Sequence, residues 1–363
     1  MKIKVLIIDD SLVIRKVLKE IIDEQPDMTV VGAAPDPVVA RDMIRQLNPD
    51  VLTLDVEMPK MNGLAFLRRL MRVRPMPVVM LSSYTREGTD LAFRALSLGA
   101  VDFVGKPITG QAGAEDYSRA IVEKIRGAFA ARDKIKVPDA SAEKLDEADL
   151  ADEALTLKDG ADSQNKVIVM AGATGGTDVI QHILQRMPGN CPGILIVQQM
   201  PAGFTEMFAK RLDELCFIAV SEAKNEEPVL PGHAYIAPGD MHLTLTNHGS
   251  RGYGIALGQQ APVNSARPSA DVLFRSAATA AGKDGIGIIL TGAGSDGAEG
   301  LLEMKKAGAF TIAQDEATSV VFGMSKEAIA KGAAAEVLPL KMISRRVLAF
   351  LGHAPGGSAQ EGS

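Results

Sequence analysis

Four short apolar runs, VLIID, VLTL, VVML and VDFVG, stop at polar or charged side chains, and the stretches between them carry the spacing of amphipathic helices. Runs this short and this apolar are the pattern of parallel strands covered on both faces. Their alternation with helices predicts a doubly wound parallel α/β sheet for the first part of the chain. The strand ends carry Asp9, Asp10, Asp55, Ser82 and Lys106. Strand ends of an open α/β sheet converge on one crevice, so these side chains are expected in one pocket. Carboxylates crowded there repel one another and suit a hard divalent cation, expected to be Mg²⁺. Lys106 adds a positive charge for a phosphoryl oxygen and Ser82 a hydrogen bond. The expected chemistry is acceptance of phosphate by Asp55, with Asp9 and Asp10 holding the metal.

The 363 residues allow two domains with their own cores. A net charge of −6 argues against a general nucleic-acid binder. Two cysteines, Cys191 and Cys216, do not make a disulfide framework. No signal peptide is read at MKIKVLIIDD, and no apolar run reaches the roughly 18 residues of a membrane span, so a cytoplasmic protein without membrane insertion is expected. Helical patterns fall at 37–47, 63–72, 87–98 and 115–129, and in the first helix Ile14, Val17, Leu18 and Ile21 share a face behind a possible Ser11 cap. Between Val137 and Asp162 nine carboxylates face two lysines, a local charge of −7 that reads as a solvated tether or a docking segment. From Lys166 a second α/β pattern begins: KVIVM, GILIVQQ, CFIAV, IGIILTG and AFTIAQD read as strands, and 228–257 as antiparallel hairpins. The end, GGSAQEGS, reads as a disordered tail. Expected boundaries are 1–127, a linker 128–165, a second domain 166–353 and the tail 354–363.

Residues 1–127 resemble a two-component receiver domain. DVEMPKMNG at 55–63 and LSSYT at 81–85 are similar to the receiver of the chemotaxis protein-glutamate methylesterase family. The resemblance implies phosphate transfer to Asp55 from a chemotaxis histidine kinase, with Mg²⁺ on Asp10, Asp55 and the backbone carbonyl of Glu57. It also implies that Ser82 and Phe103 sense the phosphoryl group and repack a face. QQMPAGFT at 198–205, LPGHAYIAPGD at 230–240, PVNSARPSADVLFRS at 262–276, LTGAGSDGAEG at 290–300 and VVFGM at 320–324 extend the similarity through the methylesterase domain. A modified doubly wound sheet with an added hairpin is implied. So is hydrolysis of glutamyl methyl esters and deamidation of glutamines on methyl-accepting chemoreceptors, by a Ser-His-Asp triad.

The family's first turn reads G-A-S-T-G-G-T, with Ser the nucleophile. This chain has Ala171-Gly172-Ala173-Thr174-Gly175-Gly176-Thr177, placing Ala173 at the serine position; alignment with a one-residue deletion also leaves no serine. Gln199 stands where the family has its histidine, and Asp296 matches the third member. Thr174, Gly175 and Gly176 are expected to form the turn and oxyanion hole, with Thr174 capping or positioning. A dinucleotide site is not expected, because AGATGG lacks the G-x-G-x-x-G spacing. Alanine has no lone pair to attack an ester, and a glutamine amide does not shuttle protons near neutral pH. In a serine protease losing either group costs roughly 10⁶ in kcat. Thr174, at the turn, is the first alternative source of chemistry, although capping or positioning is its more economical role; Ser295, Cys191, His182, His233 and His242 are the others. Two readings stay open: a degenerate hydrolase acting as a binding module, or a hydrolase with a non-standard site.

Overall fold

The computed structural model describes residues 2–58, 62–83, 85–106, 114–135 and 165–352. The expected acidic tether and tail lie outside those residues. The chain divides into two compact units, 1–145 and 146–363.

In the first unit the elements follow as β1 (Ile3–Ile8), α1 (Leu12–Asp23), β2 (Met28–Ala34), α2 (Pro37–Leu47), β3 (Val51–Asp55), α3 (Gly63–Val73), β4 (Val78–Ser82), α4 (Arg86–Ser97), β5 (Asp102–Gly105) and α5 (Ala114–Ala130). Short polar side chains start the helices by accepting free N–H groups. Ser11 accepts from Ile14 at 3.4 Å, Asp36 from Val38 and Val39 at 2.9 and 3.0 Å, Asn62 from Leu64 at 2.8 Å and Thr85 from Gly88 at 3.0 Å. The strands pair in parallel in the order β2-β1-β3-β4-β5. Winding reverses between β1 and β3, so the crevice opens beyond Ile8 and Asp55. Every residue of β3 and β4 is buried, as a strand covered on both faces requires. On α1 the fully buried pair is Leu18 and Ile22, one turn apart, while Ile14, Val17 and Ile21 flank it half-buried. The apolar stripe is thus rotated from the expected one toward Ile22.

The second unit runs β6 (Val167–Gly172), α6 (Gly176–Leu184), β7 (Ile194–Gln198), α7 (Phe204–Leu215), β8 (Ala219–Glu222), β9 (His233–Ile236), β10 (His242–Asn247), β11 (Tyr253–Gly258), α8 (Ala270–Ala280), β12 (Gly285–Ile289), α9 (Ala298–Lys306), β13 (Phe310–Gln314), α10 (Met324–Ala330), β14 (Glu336–Leu338) and α11 (Leu340–Gly352). Seven strands form one sheet, β14-β13-β12-β6-β7-β9-β8, all parallel, and β10 and β11 make a separate antiparallel hairpin. Two details differ from the sequence reading. Within 228–257 only β10 and β11 form a hairpin; β9 joins the main sheet, where Ala234, Tyr235 and Ile236 are buried. CFIAV yields a strand only from Ala219, because β8 is an edge strand and Phe217 ahead of it is 86% exposed. The winding direction reverses at β6, between β12 on one side and β7 on the other, which opens a second crevice at their carboxyl ends.

Candidate functional sites

The first crevice gathers the expected side chains. Carboxylate oxygens of Asp9, Asp10 and Asp55 lie within 4.8 Å of one another, with Asp9 and Asp55 buried and Asp10 exposed. Lys106 Nζ stands 2.7 Å from Asp55 Oδ2 and 3.2 Å from Asp9 Oδ2. The second oxygens are oriented by backbone donors: Ser11 N–H to Asp9 Oδ1 at 2.9 Å and Glu57 N–H to Asp55 Oδ1 at 3.1 Å. Burial, reinforced by the neighbouring Asp9 charge, pushes Asp55 up to about 6 against the pull of Lys106. Burial raises Asp9 as well. Lys106 loses hydration too, but its bond and charge contact with Asp55, and then Asp9, outweigh that loss and raise it. The pocket therefore holds more negative than positive charge. Its donors are all oxygen, and buried Asp9 Oδ2 and Asp55 Oδ2 meet only the Lys106 cation among the described residues. A hard divalent cation such as Mg²⁺ fits this donor set.

Ser82 is fully buried at the end of β4, and its hydroxyl donates to Gly88 O in the first turn of α4 at 2.6 Å. Phe103 is buried on β5, edge-on to Phe93 of α4 with centroids 5.6 Å apart. One contributor escaped the sequence reading. Arg15, on α1, donates from Nη1 to Asp9 O at 2.6 Å and to Asp10 O at 2.9 Å, fixing the backbone that presents both carboxylates.

The second crevice brings residues 172–176, 198–199 and 296 together. Gly172 pairs with Gln198 across β6 and β7, and Gln199 N–H donates to Gly172 O at 3.1 Å. Ala173 is 4% exposed; its N–H donates to Thr291 O at 3.0 Å, and its carbonyl accepts from Gly176 N–H and Gln198 Nε2, each at 2.8 Å. Gly175 has φ +76, and a Cβ there would sit 2.5 Å from Val320 Cβ, so this turn requires glycine twice over. Gly175, not Thr174, occupies the N-cap of α6, and no side chain caps that helix; the capping role expected for Thr174 is therefore corrected. Thr174 is instead held by its carbonyl, which Thr291 Oγ1 reaches at 3.0 Å. Because Gly176 N–H is spent on Ala173 O, the turn's unspent amides among the described residues belong to Thr174 and Gly175.

Gln199 Nε2 donates to Asp296 Oδ2 at 3.0 Å. Asp296 is 4% exposed and also accepts from Ser269 Oγ at 2.7 Å, Ala270 N–H at 2.7 Å, Asn264 Nδ2 at 3.1 Å and Asp271 N–H at 3.2 Å. Two of these donors are the opening amides of α8, whose dipole favours an anion there. Asn264 and Ser265 hold left-handed backbone, φ +51 and +63, in the turn that delivers the Asn264 amide.

The alternative side chains do not assemble a second triad. His242 is buried with both ring nitrogens engaged, Nδ1 accepting from Ser269 N–H at 3.3 Å and Nε2 against Ala261 O at 3.1 Å. His233 meets Ser221 Oγ at 2.9 Å and stacks on Tyr235, and burial lowers its pKa; no carboxylate hydrogen-bonds its other nitrogen among the described residues. Burial pushes Cys191 up to about 12 and Cys216 up to about 11, which favours the protonated thiol at both. Ser295 is exposed beside Asp296, and His182 lies on α6.

A response regulator receiver domain model matches residues 5–116, and a CheB methylesterase model matches residues 168–347. A protein-glutamate methylesterase/protein-glutamine glutaminase of Thiobacillus denitrificans is 56% identical over 351 residues, which are 96% of this chain and 97% of that protein. The chain belongs to the CheB methylesterase family. A protein of the same name from Ralstonia nicotianae is 55% identical over 368 residues, covering 96% of each chain. The Thermotoga maritima CheB methylesterase catalytic domain, a solved structure, is 38% identical with a TM-score of 0.50, covering 52% of this chain and 99% of that one. The molecule is thus a CheB-family chemotaxis response regulator: a receiver domain followed by a methylesterase-type domain, each an α/β unit. No helix among the described residues is long and apolar enough to cross a membrane.

Proposed function

We propose that this CheB-family protein is a phosphorylation-switched regulator whose methylesterase-type domain engages chemoreceptor side chains without hydrolysing them. In this reading the receiver spans 1–127, the acidic linker 128–165, the methylesterase-type domain 166–353 and the tail 354–363, and the protein works in the cytoplasm. The observation that carries it is the pair Ala173 and Gln199 at the family's serine and histidine positions, with Gln199 already bonded to Asp296 in the orienting contact a histidine would use.

In the receiver, a carboxylate oxygen of Asp55 attacks the phosphorus of a phosphohistidine on a chemotaxis kinase. The P–N bond breaks, the imidazole nitrogen takes its electron pair and a proton, and an acyl phosphate forms. Asp10, Asp55 and the Glu57 carbonyl would hold Mg²⁺, with Asp9 beside them, and the ion supplies charge neutralisation for the phosphoryl oxygens. Lys106 moves from carboxylate to phosphoryl oxygen, and Ser82 turns from Gly88 O toward the same group. Phe103 packs against α4, the helix whose first turn Ser82 holds, so that face of the domain is placed to respond.

In the second domain a bound ester meets the oxyanion amides and Asp296 but no nucleophile and no proton carrier. An active methylesterase/deamidase with a non-standard site is the second reading, favoured by relatives at 55–56% identity that bear the methylesterase/glutaminase name. Methanol release from methylated chemoreceptors by the phosphorylated protein tests the two. The proposal expects no methanol above the buffer rate, and turnover at the rate of an active relative would reject it.

A further inference from the structure

We infer that Gln199 makes the second crevice select a carboxamide side chain over a γ-methyl ester. The inference rests on the reading of this domain as a non-hydrolytic binding module and says what it binds best. An ionised carboxylate only accepts hydrogen bonds, so the Gln199 amide must turn its nitrogen to Asp296, as the 3.0 Å contact has it. The two ends of an amide diverge, so Oε1 points off the carboxylate. Gln199 is half-exposed, and among the described residues its side chain bonds only through Nε2, to Asp296. Gln199, whose N–H is anchored on Gly172 O next to Ala173 in the chain, therefore offers a neutral acceptor where a histidine would offer a basic nitrogen.

Three side chains could be offered to that acceptor. A glutamine carboxamide has two N–H donors and can satisfy it. A glutamyl methyl ester has none and leaves Oε1 unpaired, while a glutamate brings only further acceptors close to Asp296. Because Ala173 has no attacking atom, the carboxamide that fits is also left intact. One hydrogen bond in a half-exposed position favours glutamine over ester by about 3–10-fold in Kd.

The test is equilibrium binding of the full chain, with acetyl phosphate and Mg²⁺ present, to chemoreceptor cytoplasmic fragments carrying glutamine, glutamate γ-methyl ester or glutamate at the modified positions. Fragment masses are recorded before and after. The expected result is tightest binding of the glutamine form, with masses unchanged. Gln199→Met keeps the length but removes the acceptor, and should bring the glutamine-to-ester ratio to about 1. Asp296 keeps four donors in that variant, from Ser269, Asn264, Ala270 and Asp271, so the site stays assembled. Equal wild-type affinity for glutamine and ester forms overturns the inference alone. Release of methanol or ammonia, or no binding to any fragment, overturns the underlying reading and the inference with it.

Discussion

On the proposed reading of residues 173 and 199, placing serine and histidine there should convert the second domain into a working esterase, and the known cost of losing such groups sets the scale. A loss of roughly 10⁶ in kcat corresponds to about 8 kcal/mol of barrier. Neither substitution alone can recover it: Ala173→Ser supplies a hydroxyl with no base, and Gln199→His supplies a base with nothing to deprotonate. The turn is ready for the hydroxyl, because Ala173 is fixed through its backbone to Thr291 O, Gly176 N–H and Gln198 Nε2 rather than through its methyl group. Asp296 is ready for an imidazole, since four donors other than Gln199 hold it in place. Methanol released from methylated chemoreceptors by the phosphorylated proteins should stay at the wild-type level in both single variants. In the double variant it should rise at least about 10³-fold, a conservative fraction of the loss. A double variant with an unchanged thermal transition and no more methanol than wild type would refute the reasoning, since the remaining geometry would then not be that of a hydrolase.

Three further outcomes are expected. Acetyl phosphate with Mg²⁺ should phosphorylate the wild type and not Asp55→Asn, read by intact mass on Phos-tag or acid-quenched samples; equal labelling would remove Asp55 from its role. In metal-free protein the folded Asp55 pKa, about 6, exceeds its ordinary value of 3.8, so its contribution to stability is full below 3.8 and is lost as pH rises through about 6. Mg²⁺ should therefore bind more weakly as pH falls through about 6, and titration at pH 5 and pH 7.5 showing equal affinity would contradict this. Asp296→Ala should destabilise the second domain by about 3–5 kcal/mol, because it strands several buried donors at once; hydrogen exchange of α8 and β12 at wild-type rates would disprove that.

The receiver pocket was legible because chemistry and fold share one signal there: each polar side chain ends an apolar strand, and strand ends converge. Asp9, Asp55, Ser82 and Lys106 follow from that rule. Arg15 did not, since its position on α1 looks like any solvated helix residue and only the structure turns it onto the carbonyls of Asp9 and Asp10. In the second domain the positions proposed for a triad came only through resemblance. Asn264 and Ser269 lie 32 and 27 residues from Asp296, beyond any local periodicity. An N-cap-like serine ahead of ADVLF was the available clue to Ser269, and the asparagine in PVNS offered none. Strand direction was equally hidden: β9 alternates like a hairpin strand, but its burial on both sides places it in the parallel sheet. Thr174 looked like a cap because it precedes a helix by sequence, yet the left-handed Gly175 starts α6 one residue later.

In the proposed switch, the 2.6 Å contact from Ser82 to Gly88 O is one tie that the resting receiver would have to release. That carbonyl belongs to a helix and retains its helical partner if the hydroxyl leaves, so the contact is worth only about 0.5–1.5 kcal/mol. A bias of this size favours the resting arrangement about two- to tenfold, and on this contact alone a noticeable share of unphosphorylated molecules would sample the other one. On the proposed reading, such a receiver would act as a dial with a standing background that added phosphate turns up.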